Sequence, residues 1–263
     1  MDLGIKGKWA LVCGASKGLG LGCAQALVGE GVNVLIVARG AAALEAAASK
    51  MIAEQAGNSG TSVLFVAADI TTSEGRAAVF AVRTDFDIVI TNAGGPPPGD
   101  FRDWDRDAWL RALDANMLSP IAIIKRVVDG MMQRGFGRII NITSSAVKSP
   151  VDGLGLSTGA RSGLTGFVAG LARTTVAKGV TINNILPGTF DTARLAGNFA
   201  AAARRGGLDA AQVRADRIAK HPAKRLGQPE EFGVARAFLC SAHAGYINGQ
   251  NLLMDGGSFS GVF

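Results

Sequence analysis

The sequence has little with which to hold a metal ion or staple itself together. It contains 3 cysteines and 2 histidines in 263 residues. Cys13, Cys23 and Cys240 form no C-x-x-C pair, and a scattered odd set suits a reducing compartment better than a disulfide framework. His221 and His243 cannot supply a three-histidine zinc set, and both read as surface loop residues, so no metal site is expected. Tyrosine occurs once, at Tyr246, which leaves few candidates for a phenolic proton donor. Charged residues make up only 18%, and although the net charge is +6, no run of Lys or Arg exceeds two residues. That pattern argues against a nucleic-acid partner and for a preference for anionic small molecules. Apolar runs such as the one within Val32–Ala38 are strand-sized, far short of the roughly 20 residues of a membrane span. The opening Met1-Asp2-Leu3-Gly4-Ile5-Lys6 has no charged-then-apolar leader pattern. A soluble, cytoplasmic protein with no membrane partner is the expectation.

What is present points to a folded α/β chain. Apolar residues reach 48%, and the 36 glycines follow no G-X-Y period, so they read as tight turns. Trp9-Ala10-Leu11-Val12-Cys13-Gly14 reads as a strand ending in a glycine turn, with a helix from about Gly18 to Gly29. Val32 to Ala38 is a second strand, leading into an Ala-rich helix through Ala56. Further strands are expected at Ser62–Ala67, Asp87–Thr91, Arg138–Ile142, Val180–Leu186 and Gln250–Met254, with long helices at Asp107–Gln133 and Ser157–Lys178. Continuously apolar strands alternating with helices predict one doubly wound parallel sheet of about seven strands. With neither repeat nor linker, residues 1–263 read as a single domain. The one irregular insertion, Thr189–Arg225, contains two short helical pieces around Arg204-Arg205-Gly206-Gly207, placed where a substrate lid belongs. It carries eight basic residues, from Arg194 to Arg225, against Asp191, Asp209 and Asp216. An anionic substrate is one reading of that excess, and a solvated helical face is the other.

The first strand-to-helix turn is Gly14-Ala15-Ser16-Lys17-Gly18-Leu19-Gly20. Glycines there let backbone N–H groups approach a pyrophosphate at the positive end of the helix. The end of the second strand selects the dinucleotide: an acidic residue would accept from the ribose 2′-OH of NAD, whereas Arg suits the 2′-phosphate of NADP. The sequence places Ala38-Arg39 there, with Lys17 as a second cation, so NADP is expected over NAD.

These motifs and their order resemble the short-chain dehydrogenase/reductase family, particularly its 3-oxoacyl-acyl-carrier-protein reductase-like branch, over nearly the whole chain. Gly14, Gly18 and Gly20 are similar to the cofactor loop, Asp69-Ile70 to the adenine-contacting pair, and Asn92-Ala93-Gly94 to the structural Asn-Ala-Gly motif. Pro187-Gly188 with Thr192 resembles the loop that holds the nicotinamide carboxamide, and Asp255-Gly256-Gly257 is a typical ending. The resemblance implies a Rossmann fold. It also implies a homotetramer, or a homodimer, packed through the helices at Asp107–Gln133 and Ser157–Lys178. Asn116 matches the catalytic Asn that anchors a water relay, and Ser144 the Ser that hydrogen-bonds the substrate oxygen. Counting on from Ser144 in the family's frame, the Tyr position falls on Ser157 and the Lys position on Arg161. The catalytic Tyr and Lys are both replaced.

Carbonyl reduction needs a proton donor to the developing alkoxide, and a Tyr of pKa about 10 lowered by a neighbouring Lys can serve. Ser157 is far less acidic and shorter. Arg161 can hold the nicotinamide ribose and present charge, but a guanidinium does not shuttle a proton. Loss of a general acid costs about 10²–10⁴-fold in rate. Lys148, in the segment after Ser144, is a candidate substitute donor, and Tyr246 lies in a loop that reads as structural. Pro96-Pro97-Pro98-Gly99 stiffens one pocket wall, and Trp104 and Trp109 read as packing residues. The leading expectation is an NADP-dependent oxidoreductase interconverting a carbonyl and an alcohol on a small or acyl substrate. The alternatives are a catalytically impaired NADP-binding protein and a non-redox, lyase-type enzyme on the same fold.

Overall fold

Successive strand residues point to opposite faces of a sheet, and here both alternating sets are apolar. The computed structural model describes residues 1–54 and 60–262. Its strands are β1 (Trp9–Cys13), β2 (Asn33–Ala38), β3 (Val63–Ala67), β4 (Ile88–Thr91), β5 (Gly137–Ile142), β6 (Val180–Pro187) and β7 (Asn251–Met254). They form one sheet in the order β3-β2-β1-β4-β5-β6-β7, parallel throughout. Between β1 and β4 the chain order reverses, which opens a crevice at the carboxyl ends of those strands, where ligands of such sheets bind.

Helices cover both faces. On one side Ala10, Val12, Val34, Ile36, Ile88 and Ile90 pack under α1 (Gly18–Gly29), α2 (Ala41–Glu54) and, placed later in the chain, the helix Pro229–Cys240. On the other side Leu11, Cys13, Leu35, Val37 and Val89 pack under α3 (Ser73–Val82), α5 (Ser119–Arg134) and α6 (Gly155–Thr175). The expected long helix at Asp107–Gln133 is three joined pieces: α4 (Arg106–Leu113), one wide π-turn at Asp114–Leu118, and α5. The insertion Thr189–Arg225 forms α7 (Ala193–Gly206) and α8 (Ala210–Lys220), so Arg204 and Arg205 belong to the last turn of α7. The Pro229–Cys240 helix is α9. Residues 55 and 56, the expected end of α2, lie outside the described residues.

Neither α3 nor α9 was expected from the sequence pattern. Both start with clear caps: Thr72 accepts from the Gly75 N–H at 3.0 Å, and Glu231 accepts from the Gln228 N–H at 2.8 Å across Pro229. Glu231 is also gripped by both terminal nitrogens of Arg225 at 2.7 Å, and this fork holds its pKa down at about 2. His221 corrects another expectation. It is 7% exposed, accepting from the Ala223 N–H at Nδ1 and paired with Ser258 at Nε2, so it anchors the carboxyl-terminal turn inside the fold. His243 is exposed as expected. Burial pushes the Cys13 thiol up to about 12, in keeping with a packed core group.

The seam between α1 and α9 is backbone on backbone. A Cβ on Gly22 would lie 2.4 Å from the Pro229 oxygen, and one on Gly233 would lie 2.3 Å from the Gly22 oxygen. Deeper in the seam sits Arg236, 0% exposed, with Nη1 on Cys23 Sγ at 2.9 Å and with Nε and Nη2 lacking partners. A buried donor without an acceptor costs about 1–3 kcal/mol, and a buried charge without a counter-ion is commonly outdone by an apolar side chain of similar volume. Arg236→Met is therefore expected to raise stability by about 1–3 kcal/mol. Thermal denaturation checks this: a higher Tm is the expected result, and a lower one means that the guanidinium is stabilising where it lies.

Candidate active site

The turn after β1 is tight because two of its glycines adopt left-handed backbone, Gly14 at φ +63° and Gly18 at φ +58°. There is no room for side chains at the turn: a Cβ on Gly14 would lie 2.5 Å from Asn92 Nδ2, and one on Gly20 would lie 2.2 Å from the Gly14 oxygen. Asn92, just past β4, donates from Nδ2 to the Gly14 carbonyl at 3.4 Å and so ties the loop across the crevice. Ala93 and Gly94 continue from it. Ser16 and Lys17 lie on the loop's outer side, with Lys17 exposed, and the first N–H groups of α1 beyond them have no side-chain cap. The geometry suits an anionic group on the helix terminus.

Arg39 is exposed at the end of β2 and Asp69 stands just past β3. Asp69 accepts from the Thr71 N–H at 3.0 Å and the Thr71 hydroxyl at 2.8 Å. These bonds, chiefly the backbone one, hold its carboxyl below the usual range despite partial burial, and the charge of Arg39 adds to the effect. Ile70 beside it is buried at 8% exposure and packs in the core under α3. At the other end, Pro187 closes β6, and a Cβ on Gly188 would collide with Asp255 at 2.6 Å. Thr192 caps α7 by accepting from the Leu195 N–H at 3.3 Å, and its methyl would be 3.4 Å from a Cβ on Gly18. The first turn of α7 therefore approaches the glycine loop.

Four polar groups named above lie in the π-turn, past β5 and at the start of α6, and one pair of them, Ser157 and Arg161, is in direct contact. Asn116 sits in the π-turn, 3% exposed, donating from Nδ2 to Ala112 O at 3.3 Å and Gly94 O at 3.5 Å. Its Oδ1 is buried without a hydrogen-bond partner among the described residues, an acceptor of the kind that holds an ordered water. Ser144 follows β5, its Oγ accepting from the Ala146 N–H at 3.1 Å. Ser157 and Arg161 are four residues apart on α6, hence on the same face. Arg161 donates from Nε to Ser157 Oγ at 3.2 Å and from Nη1 to the carbonyls of Ile142 at 2.6 Å and Thr143 at 2.9 Å. Its remaining nitrogen, Nη2, has no hydrogen bond among the described residues. Arg161 is 6% exposed, and burial first, then the charge of Arg194, pull its pKa down to about 10. It remains a cation at neutral pH.

Lys148 makes no hydrogen bond with Ser157 or Arg161 among the described residues. It is exposed beyond the turn that follows Ser144, with Nζ 5.7 Å from the centre of the Phe259 ring. Tyr246 is fully exposed, at 101%. Trp104 and Trp109 stack edge to face with centroids 6.1 Å apart, and a Cβ on Gly155 would meet the Trp104 ring at 2.6 Å. Trp104 also lines an open cleft of ≈ 530 Å³ between Gly99–Phe101 and Val151–Gly155. A second cavity of ≈ 300 Å³ lies behind the insertion against His221 and Asp255. Neither is lined by Ser144, Ser157 or Arg161. On α7 the Arg194 guanidinium lies against Gly95; the sequence does not separate this arginine from the other seven bases of the insertion.

Comparison with known proteins places relatives along nearly the whole chain. Residues 14–258 match the family described as enoyl-(acyl carrier protein) reductase. The chain is 32% identical over 261 residues to the 3-oxoacyl-[acyl-carrier-protein] reductase FabG of Vibrio cholerae, covering 98% of this chain and 99% of that one. It is 31% identical to the D-beta-hydroxybutyrate dehydrogenase of Cupriavidus necator, covering 96% and 98%. Among solved structures, L-sorbose reductase from Gluconobacter frateurii, complexed with NADPH and L-sorbose, superposes with a TM-score of 0.92 at 28% identity over 100% of both chains. The chain belongs to the short-chain dehydrogenase/reductase family.

Proposed function

We propose that the protein is an NADP-dependent oxidoreductase that interconverts a carbonyl and an alcohol, with Ser157 and Arg161 standing in for the Tyr–Lys pair. The carbonyl–alcohol chemistry is supported by the relatives, which are reductases and dehydrogenases, one of them seen with NADPH. Gly14, Ser16, Gly18, Leu19 and Gly20 would hold the pyrophosphate, and Lys17 and Arg39 the 2′-phosphate. Asp69 and Ile70 would contact the adenine, Asn92, Ala93 and Gly94 the ribose side, and Pro187, Gly188 and Thr192 the carboxamide. The bound cofactor supplies a hydride to the carbonyl carbon. Ser144 and Ser157 donate hydrogen bonds to the substrate oxygen, and Arg161, through its Nε bond to Ser157, stabilises negative charge as it develops there. The proton comes from solvent, relayed through a water that Asn116 Oδ1, the buried acceptor left unpaired among the described residues, would hold. That water passes one proton to the alkoxide and takes another from bulk water. The observation that carries this reading is the Arg161–Ser157 bond, which orients the one hydroxyl at the Tyr position and leaves its own proton free to donate. Lys148, exposed beside Phe259, serves at most the outer rim of the cleft.

Leu110, Leu118 and Phe167 are exposed on α4, the π-turn and α6, as a homotetramer or homodimer packed through these helices would need. A second reading, an NADP-binding protein without turnover, is favoured by one fact: among the described residues, no phenol or ammonium joins Ser144, Asn116 and Arg161.

Arg39→Ala tests the cofactor assignment. A charge-assisted hydrogen bond to phosphate contributes about 1.5–3 kcal/mol, so NADPH affinity is expected to fall about 10- to 100-fold while NADH affinity stays level. Calorimetric titration with both nucleotides decides it. Equal loss of both, or loss of neither, overturns the role of Arg39, and failure of the wild type to bind either overturns the oxidoreductase reading.

A further inference from the structure

We infer that Arg194 and Arg161 form an anion site at the reacting end of the crevice, one that receives a carboxylate or phosphate carried by the substrate. The inference rests on the oxidoreductase reading for its orientation, and on the placement of these two side chains for its substance.

Arg194 is the second residue of α7, an awkward position for a cation because the first turn of a helix is its positive end. It is exposed along its length, yet its guanidinium folds inward against Gly95: a Cβ there would lie 2.5 Å from Nη2, 3.0 Å from Nη1 and 3.2 Å from Cζ. A side chain at position 95 would push the tip of the guanidinium aside. Gly95 follows Gly94, whose carbonyl takes the Asn116 hydrogen bond, so the guanidinium is delivered beside the group expected to hold the relay water. Across the crevice, Arg161 spends Nη1 on two backbone carbonyls and Nε on Ser157, which leaves Nη2 uncommitted.

Neither arginine has a carboxylate among the described residues. The ion pairs found there join other side chains, and Arg194 donates no side-chain hydrogen bond. Arg204, Arg205, Arg217 and Lys220, exposed on α7 and α8, are likewise without a carboxylate among the described residues, and what sets Arg194 apart from them is the inward fold of its guanidinium. The other three bases of the insertion are committed. Arg214 is paired with Asp191 at 2.8 Å, Arg225 with Glu231 at 2.7 Å, and Lys224 donates to Ala219 O at 2.7 Å. Thr91 pairs with Asn141 across β4 and β5, so the backbone that Arg161 grips, at Ile142 and Thr143, and the Gly95 turn that Arg194 lies against leave neighbouring strands at the same end of the sheet. Two guanidinium groups brought to that end with no counter-ion repel. Each is held below its ordinary pKa by desolvation, and Arg161 further by the charge of Arg194. An anion between them relieves that cost, and a planar carboxylate or a phosphate matches the guanidinium fork. The other available anion is the cofactor's own pyrophosphate, whose cradle at Gly14–Gly20 already supplies backbone donors.

The test uses oxalate as the probe and oxamide as its neutral isostere, titrated calorimetrically into the protein saturated with NADP⁺, so that the phosphate cradle is filled. Oxalate binding without oxamide binding is expected. Arg194→Met is expected to weaken oxalate about 10- to 100-fold and Arg194→Lys less, since an ammonium keeps the charge without the fork. NADPH affinity is expected to change by less than about threefold. No oxalate binding to the loaded wild type overturns the proposal. So does an Arg194→Met protein that loses NADPH affinity and keeps oxalate, because the guanidinium then serves the pyrophosphate. If NADP⁺ itself fails to bind, the oxidoreductase reading falls alone: Arg194-dependent oxalate binding to the unloaded protein still upholds the anion site, and its absence removes that too.

Discussion

Gly20→Ala is expected to raise the Kd for NADPH at least about 100-fold, a loss of roughly 3 kcal/mol. The added Cβ would stand 2.2 Å from the Gly14 carbonyl oxygen and 2.7 Å from its carbon, and both are backbone atoms. Gly14 has nowhere to retreat, because its own φ of +63° and the Asn92 side chain pin it. The loop must lift, and the N–H groups that would meet the pyrophosphate lift with it. Gly22→Ala is the instructive companion. Two residues further along the same helix, its Cβ would meet the Pro229 oxygen at 2.4 Å, so the strain goes into the α1–α9 seam. That variant is expected to lose thermal stability while whatever remains folded keeps its affinity for NADPH. Fluorescence titration with NADPH and a melting curve on both variants separate the two effects. A Gly20→Ala protein with wild-type affinity would remove the turn from the binding site.

The contrast between these glycines shows what the sequence conveys and what it withholds. The turn at Gly14–Gly20 is legible because its glycines follow a continuously apolar strand, and such a strand in a parallel sheet has one physical explanation. The sheet itself is legible on the same grounds, with each strand end found within a residue or two. Helix α9 is less so, for its signals are polar and local: Pro229 at the first position and Glu231 reaching back to Gln228. The π-turn has no signature at all in Asp114-Ala115-Asn116-Met117-Leu118. It is held by Ser119, whose hydroxyl donates to Asp114 O at 2.6 Å, and it is what turns Asn116 toward Gly94. Arg194 is indistinguishable from its neighbours in the insertion until Gly95, 99 positions earlier in the chain, is seen to make room for it. His221 reads as a loop residue because the Ser258 that buries it lies 37 residues away. Contacts of long sequence separation are what pattern alone does not carry.

The double variant Ser157→Tyr, Arg161→Lys is expected to raise NADPH-dependent reduction of ethyl acetoacetate by about 10²–10⁴-fold over the wild type, the range a positioned general acid contributes. Ser157 is buried in the first turn of α6 and one helical turn below Arg161, so a phenol there would project along the same direction toward Ser144. A lysine at 161 places its ammonium where the guanidinium now meets the Ile142 and Thr143 carbonyls, at 2.6 and 2.9 Å, and lowers the phenol's pKa from about 10 by its charge. The single variants sort out the roles. Ser157→Tyr alone gains an acid but keeps a cation that cannot pass a proton, so its gain is expected to be smaller. Arg161→Lys alone gains nothing in rate and melts lower, because three hydrogen bonds from one planar group become fewer bonds from a point charge, and a buried carbonyl left unpaired costs about 1–3 kcal/mol. Initial rates at saturating NADPH, with melting curves for all four proteins, make the comparison. Equal rates in the double variant and the wild type, at equal NADPH affinity, would mean that the crevice no longer presents a carbonyl to position 157. The Ser157–Arg161 pair would then belong to a different chemistry, or to none.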